Sequence, residues 1–126
     1  MFEIIVEHKF PAAHALRNYK GATEPIHGHN WRSEVTLFGP KLDECGLLAD
    51  FIEVKAWLDQ IIGRLDHKFL NETPPFDLVN PSAENVAKFI ADEVDGALKS
   101  KSPSAPVKVA AVRVWETDHC SAVYRP

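Results

Sequence analysis

Between Phe2 and Phe10 the chain sets Phe2, Ile4, Val6 and Phe10 against Glu3, Ile5, Glu7 and Lys9. This period of two predicts a half-buried strand over residues 2 to 10. Residues 28 to 38 repeat the pattern and end at Gly39-Pro40, predicting a second strand. The segment between them, Ala15 to Ile26, carries Gly21 and Pro25 and is too long for a tight hairpin. It reads as a loop, a natural place for catalytic groups. Leu47 to Ala49 predicts a short further strand. Asp50 followed by Glu53 resembles a capping box, opening a helix with Val54, Leu58, Ile61 and Leu65 on one face. Asn80-Pro81-Ser82 stops one segment and caps a second helix, in which Val86, Ile90, Val94 and Leu98 recur at four-residue spacing. Lys99 to Pro106 reads as a polar, proline-bearing connector. Val107 to Trp115 and Ser121 to Arg125 form a closing pair of strands around Glu116 to Cys120. The order ββ(β)ααββ predicts an α+β fold, an antiparallel four-stranded sheet with two helices packed on one face.

Length and composition narrow the class. The 126 residues suit a single domain, 1–126, with one core. An apolar fraction of 45% and a charged fraction of 25% are those of an ordinary globular protein. A net charge of -4 with no basic stretch argues against a nucleic-acid partner. No apolar run is long enough to cross a bilayer, and Met1 leads straight into a strand, so the expected location is cytoplasmic, with no membrane partner. Cys45 and Cys120 could form at most one disulfide and have no Cys-x-x-Cys spacing, which reads as two ordinary thiols.

The chemistry concentrates in His27-Gly28-His29. On a strand these two imidazoles point to the same side with only a glycine between them, a ready pair of metal ligands. His14 closes Phe10-Pro11-Ala12-Ala13-His14 and could return to the same spot as a hairpin partner. Three neutral imidazoles leave one position open on a tetrahedral Zn2+, as a catalytic zinc requires. Two histidines on one strand face also occur as surface or hydrogen-bonded residues, and the H-x-H spacing alone does not separate the two readings.

Five motifs change the balance: Ala12-Ala13-His14, His27-Gly28-His29-Asn30-Trp31, Leu65-Asp66-His67-Lys68-Phe69-Leu70-Asn71, Asn80-Pro81-Ser82-Ala83-Glu84-Asn85 and Trp115-Glu116-Thr117. In order and spacing the chain resembles the 6-pyruvoyl-tetrahydropterin synthase family, which includes the 6-carboxy-tetrahydropterin synthases of queuosine biosynthesis. The resemblance covers nearly the whole chain. It implies the tunnelling fold, zinc bound by His14, His27 and His29, and a dihydroneopterin triphosphate substrate. It further implies a homo-oligomer, trimers whose sheets join into a barrel and stack as a hexamer, with active sites between subunits.

One departure stands out. Family members making the 6-pyruvoyl or 6-carboxy product carry a cysteine four residues before the first histidine of His-Gly-His, and that position here is Thr23. Glu24 stands one residue later, in Glu24-Pro25-Ile26-His27. This looks like the subgroup in which a glutamate replaces the cysteine and the side chain is cleaved to 6-hydroxymethyl-7,8-dihydropterin, feeding folate synthesis. The alternatives are a 6-carboxy-tetrahydropterin synthase and a non-catalytic zinc- or pterin-binding relative.

On this resemblance Glu24 is the expected base for a retro-aldol step, as a carboxylate beside a metal can be; standing alone it would be a solvated loop residue. Asp66-His67 is the expected proton relay, although adjacent residues need not touch and Asp66 could simply end a helix. Glu116, at the end of an apolar strand, is expected to grip the guanidine-like edge of the pterin with two parallel hydrogen bonds, assisted by Thr117. The triphosphate needs cations, for which Lys9, Arg17, Lys68 and Arg125 are available. His8, His119 and Trp31 receive no role beyond structure.

Overall fold

The computed structural model describes residues 1–101 and 106–126. The strand β1 (Phe2–His14) forms a long antiparallel hairpin with β2 (His27–Gly39). Then come the helix α1 (Phe51–Gly63), the two-residue strand β3 (Lys68–Phe69), a single 3-10 turn (Leu70–Glu72) and the helix α2 (Ala83–Lys101). The chain closes with β4 (Lys108–Thr117) and β5 (Cys120–Tyr124). The α+β class is as expected, but the sheet has five strands, in the order β3-β1-β2-β4-β5.

Two sequence expectations are corrected. The fifth strand is β3, which pairs parallel to Ala12-Ala13, so the sheet is not wholly antiparallel. Leu47 to Ala49 is not a strand. There Asp43 Oδ1 accepts the N–H groups of Cys45 (2.8 Å) and Leu47 (3.0 Å), and this local side-chain bonding outcompetes a ladder. Of the expected connector, residues 99–101 continue α2, while 102–105 lie outside the described residues.

β1 runs four residues past its predicted end, through Pro11. Proline lacks an N–H, which is tolerated on the side of a strand where no long neighbour pairs. There the Pro11 carbonyl accepts the His67 N–H, at 2.8 Å. The even positions of β1 and odd positions of β2 face the helices and are buried: Val6, Phe10 and Ala12 with Trp31, Val35 and Leu37. In β4 the register against β2 jumps from Thr36–Ala111 to Leu37–Val109, a bulge that absorbs Ala110 and lets both Val109 and Val112 reach the core.

Both helices cover this one face. Asp50 caps α1 by accepting the Ile52 N–H at 2.9 Å. Glu53 does not complete a capping box; its carboxylate pairs with Lys101 of α2 instead. Ser82 Oγ accepts the Asn85 N–H at the start of α2, and Val86, Ile90, Val94 and Leu98 are all buried, as their spacing predicts. Among the described residues no helix covers the other face of the sheet. Each uncovered leucine- or valine-sized side chain is worth roughly 1.5–3 kcal/mol less than a buried one, so the helix-covered face accounts for most of the stability.

Candidate metal centre and active site

The β1–β2 register pairs His14 with His27 across the two strands and places Ala12 opposite His29. His14 shares the parity of Phe10, and His27 and His29 that of Trp31, so all three imidazoles emerge on the helix-covered face at one end of the sheet. Trp31 forms their floor, its ring centroid 4.9 Å from that of His14 and 5.7 Å from that of His29, and its Nε1–H tied to the Ala12 carbonyl.

Hydrogen bonds behind the rings decide which nitrogens point inward. His14 Nδ1 lies 2.7 Å from the Pro81 carbonyl and His27 Nδ1 2.9 Å from the Pro25 carbonyl. A carbonyl oxygen only accepts, so each Nδ1 carries the hydrogen and each Nε2 of a neutral ring presents a lone pair. The two Nε2 atoms face one another at 3.1 Å. Two lone pairs at that distance repel, and a cation between them turns repulsion into ligation. His29 Nε2 is buried and makes no hydrogen bond, although Glu116 Oε1 stands 2.9 Å from it in poor alignment. Burial holds the His29 imidazole below its ordinary pKa; Glu116 opposes this shift, and His14 and His27 add to it.

Glu116 follows Val112 and Val114 on the core-facing side of β4, which carries its carboxylate across β2 to the imidazoles. Its Oε1 is 3.2 Å from His14 Nε2 and 4.0 Å from His27 Nε2. One donor atom from each of His14, His27, His29 and Glu116 lies within 4.8 Å of the others. Edges of a tetrahedron with metal–nitrogen bonds of about 2.0–2.1 Å measure roughly 3.3 Å, so the spacing fits a small four-coordinate cation. The corner expected to be open is the one Glu116 approaches.

Glu24 joins this group from the loop. Its Oε1 accepts the Leu16 N–H at 2.9 Å and lies 3.9 Å from His27 Nε2. Asp66 and His67 do not belong to the cluster. His67, with φ of 57°, projects from the sheet edge with its side chain 77% exposed and its Nδ1 2.9 Å from Asp66 Oδ1, an oxygen that makes no hydrogen bond at this alignment. It opens on a cleft of about 500 Å3 shared with Ala13, Gly28, His29, Asn30 and Phe69. Thr117 spends its Oγ on the β4–β5 turn, accepting the N–H groups of His119 and Cys120. Among the candidate phosphate ligands, Arg17 is committed elsewhere, donating to the Asn71 and Phe76 carbonyls. Arg125 lines a larger cleft of about 730 Å3 at the opposite end of the sheet, which holds none of this chemistry.

The family model for 6-pyruvoyl tetrahydropterin synthase matches residues 3–126. The chain belongs to this family. Among family relatives, the 6-carboxy-5,6,7,8-tetrahydropterin synthase of Bacillus subtilis is 32% identical over 130 residues, covering 99% of this chain and 86% of its own. The dihydroneopterin monophosphate aldolase of Pyrococcus furiosus is 31% identical over 113 residues, covering 90% and 88%. In fold the chain matches the 6-pyruvoyltetrahydropterin synthase of Plasmodium vivax, solved as a mutant in which a catalytic glutamate is alanine, with a TM-score of 0.80 over 99% of this chain and 97% of that one at 19% identity. Sequence reasoning overlooked the contribution of Pro81, Asn71 and Asn80. Two of the motifs contain them, but only the contacts reveal what they do.

Proposed function

We propose that the protein is a zinc-dependent pterin lyase that cleaves the side chain of 7,8-dihydroneopterin triphosphate to give 6-hydroxymethyl-7,8-dihydropterin. The observation that carries this reading is Glu24, a carboxylate held at the imidazole cluster in a chain that has Thr23 where the family cysteine stands. His14, His27 and His29 would hold the zinc, a donor set that suits it. Bound there, zinc supplies Lewis acidity that makes the substrate's hydroxyl protons easier to remove. Glu24 takes the proton of the 2'-hydroxyl; the bond between the first two side-chain carbons breaks, its electrons enter the ring imine, and the departing fragment leaves as an aldehyde. The first carbon then takes up a proton. Asp66 orients His67, which exchanges that proton. Glu116 grips the amino and ring N–H edge of the pterin.

The aldolase name of the Pyrococcus relative and the catalytic glutamate of the Plasmodium one support this assignment. The 6-carboxy product is the second reading, favoured by the Bacillus relative. The protein also reads as a homo-oligomer: the side of β1 away from β2, along residues 2–10, and the outer side of β5 have no strand partner among the described residues. Open edges of this kind invite a second copy. Such an assembly would bring the exposed Asp66–His67 pair to a site shared between copies. No helix among the described residues is long and apolar enough to cross a membrane.

Mass analysis of the product formed from 7,8-dihydroneopterin triphosphate, with the monophosphate run beside it, tests the assignment. The expected species is 6-hydroxymethyl-7,8-dihydropterin. A 6-carboxy or 6-pyruvoyl product would overturn it.

A further inference from the structure

The segment Ala15-Leu16-Arg17 leaves the sheet after His14, yet its peptide groups are all bonded. Ala15 donates its N–H to Asn71 Oδ1 at 2.9 Å and accepts from Asn71 Nδ2 at 2.6 Å. Arg17 does the same with Asn80, at 2.8 and 3.0 Å. Each asparagine amide thus replaces one residue of a neighbouring strand. Leu16 lies between them, and its peptide groups point the other way, as alternate residues of an extended chain do. There Glu24 takes both: Glu24 N–H donates to the Leu16 carbonyl at 3.0 Å, and Glu24 Oε1 accepts the Leu16 N–H at 2.9 Å.

The asparagines are themselves fixed. The Asn80 carbonyl accepts from Asn85 Nδ2 and from the Ser82 N–H, both at 2.9 Å, which ties it to the start of α2. The Asn71 carbonyl accepts from the Arg17 guanidinium, at 3.0 Å. A primary amide of this length offers a donor and an acceptor side by side to the N–H and C=O of one residue; aspartate has the length but no donor.

We propose that Asn71 and Asn80 are positioning residues for Glu24, clamping residues 15–17 from one side so that Leu16 presents a rigid grip to the carboxylate on the other. The inference rests on Glu24 being the base. Displacing a reacting group by about 1 Å costs up to ~10²-fold in rate, so losing one clamp should lower kcat without altering what the pterin or the metal touches.

The test uses Asn71→Asp and Asn80→Asp in the full-length, zinc-loaded protein, alone and in a Glu24→Gln background. Each keeps the acceptor for the peptide N–H and sets a carboxylate oxygen against the peptide carbonyl. With Glu24 present, kcat for side-chain cleavage should fall roughly 10–100-fold, while KM and zinc content stay near wild type. With Glu24→Gln the same substitutions should cost almost nothing further, since groups acting through one another are not additive. Equal losses in both backgrounds, or no loss in the first, would overturn the proposal. Should Glu24→Gln alone leave cleavage intact, the base assignment itself fails, and that shows before any asparagine variant is made. Where the aspartate variants do not fold, Asn80→Ala is read by hydrogen exchange at the Leu16 amide. Protection there should drop, and unchanged protection would refute the clamp.

Discussion

Stripping and restoring zinc should move the thermal midpoint of this protein by about 15 °C. The geometry sets the direction: without a cation the Nε2 lone pairs of His14 and His27 oppose each other at 3.1 Å, and His29 Nε2 is buried without a hydrogen bond. A metal that binds only the folded chain stabilises it by roughly 4 kcal/mol when free metal is about 1,000 times its dissociation constant. An unfolding entropy of about 2.1 cal/mol/K per residue gives roughly 0.26 kcal/mol/K for 126 residues, so each kcal/mol is worth about 4 °C. The assay is thermal unfolding of chelator-stripped protein against protein in buffered Zn2+. His27→Ala is the informative variant, because His27 stands at the strand ends with its side chain 37% exposed. His14 is 1% exposed and packs on Trp31, so truncating it would also leave a cavity. With His27→Ala the zinc-dependent shift should shrink to a few degrees. Stripped and loaded wild type unfolding within about 2 °C of each other, or an undiminished shift in His27→Ala, would refute the ligand assignment.

Other outcomes follow from the same contacts. Glu24→Gln keeps the oxygen that accepts the Leu16 N–H but cannot take a proton, so product formation should fall by about 10²–10⁴-fold with zinc content unchanged; full activity would place the base elsewhere, most simply at His67. Glu116→Gln should raise KM more than it lowers kcat, because a grip on the pterin edge acts equally on substrate and transition state; a normal KM with a collapsed kcat would contradict this. Because burial lowers the His29 pKa, the unfolded chain takes up a proton at this position near pH 6.5 and the folded one only at lower pH, so metal-free protein should lose stability as pH falls below the unfolded value. His29→Gln should flatten that pH dependence in denaturant titrations, and an unaltered slope would count against it.

The strands β1 and β2, the face of α2 and the shared side of His27 and His29 were legible from residue order, because each depends on a period of two or four within one segment; His14 joined them through the family resemblance. What escaped depends on pairing between distant segments. β3 is two residues long and too short for any period; it exists because Ala12-Ala13 offers it an edge. The reach of Glu116 to the imidazoles follows from its parity with Val112 and Val114, but which strand lies beside β4 is a matter of register. Leu47 to Ala49 looks like a strand until the Asp43 side chain claims its backbone. The asparagine amides acting on residues 15–17 leave no periodic trace at all, since each works once, across more than fifty positions.

The left-handed backbone of His67 limits what evolution and mutagenesis can place there. At φ of 57° a β-branched side chain is strongly disfavoured, whereas histidine, asparagine and aspartate are among the residues that enter this region most readily. The imidazole that the proposed proton exchange calls for and the conformational requirement of the chain are therefore compatible at this position. His67→Ala would disturb both, mixing a folding defect into any loss of rate. His67→Asn keeps the backbone preference and removes only the ring, which makes it the substitution that isolates the proton chemistry from the shape of the edge strand.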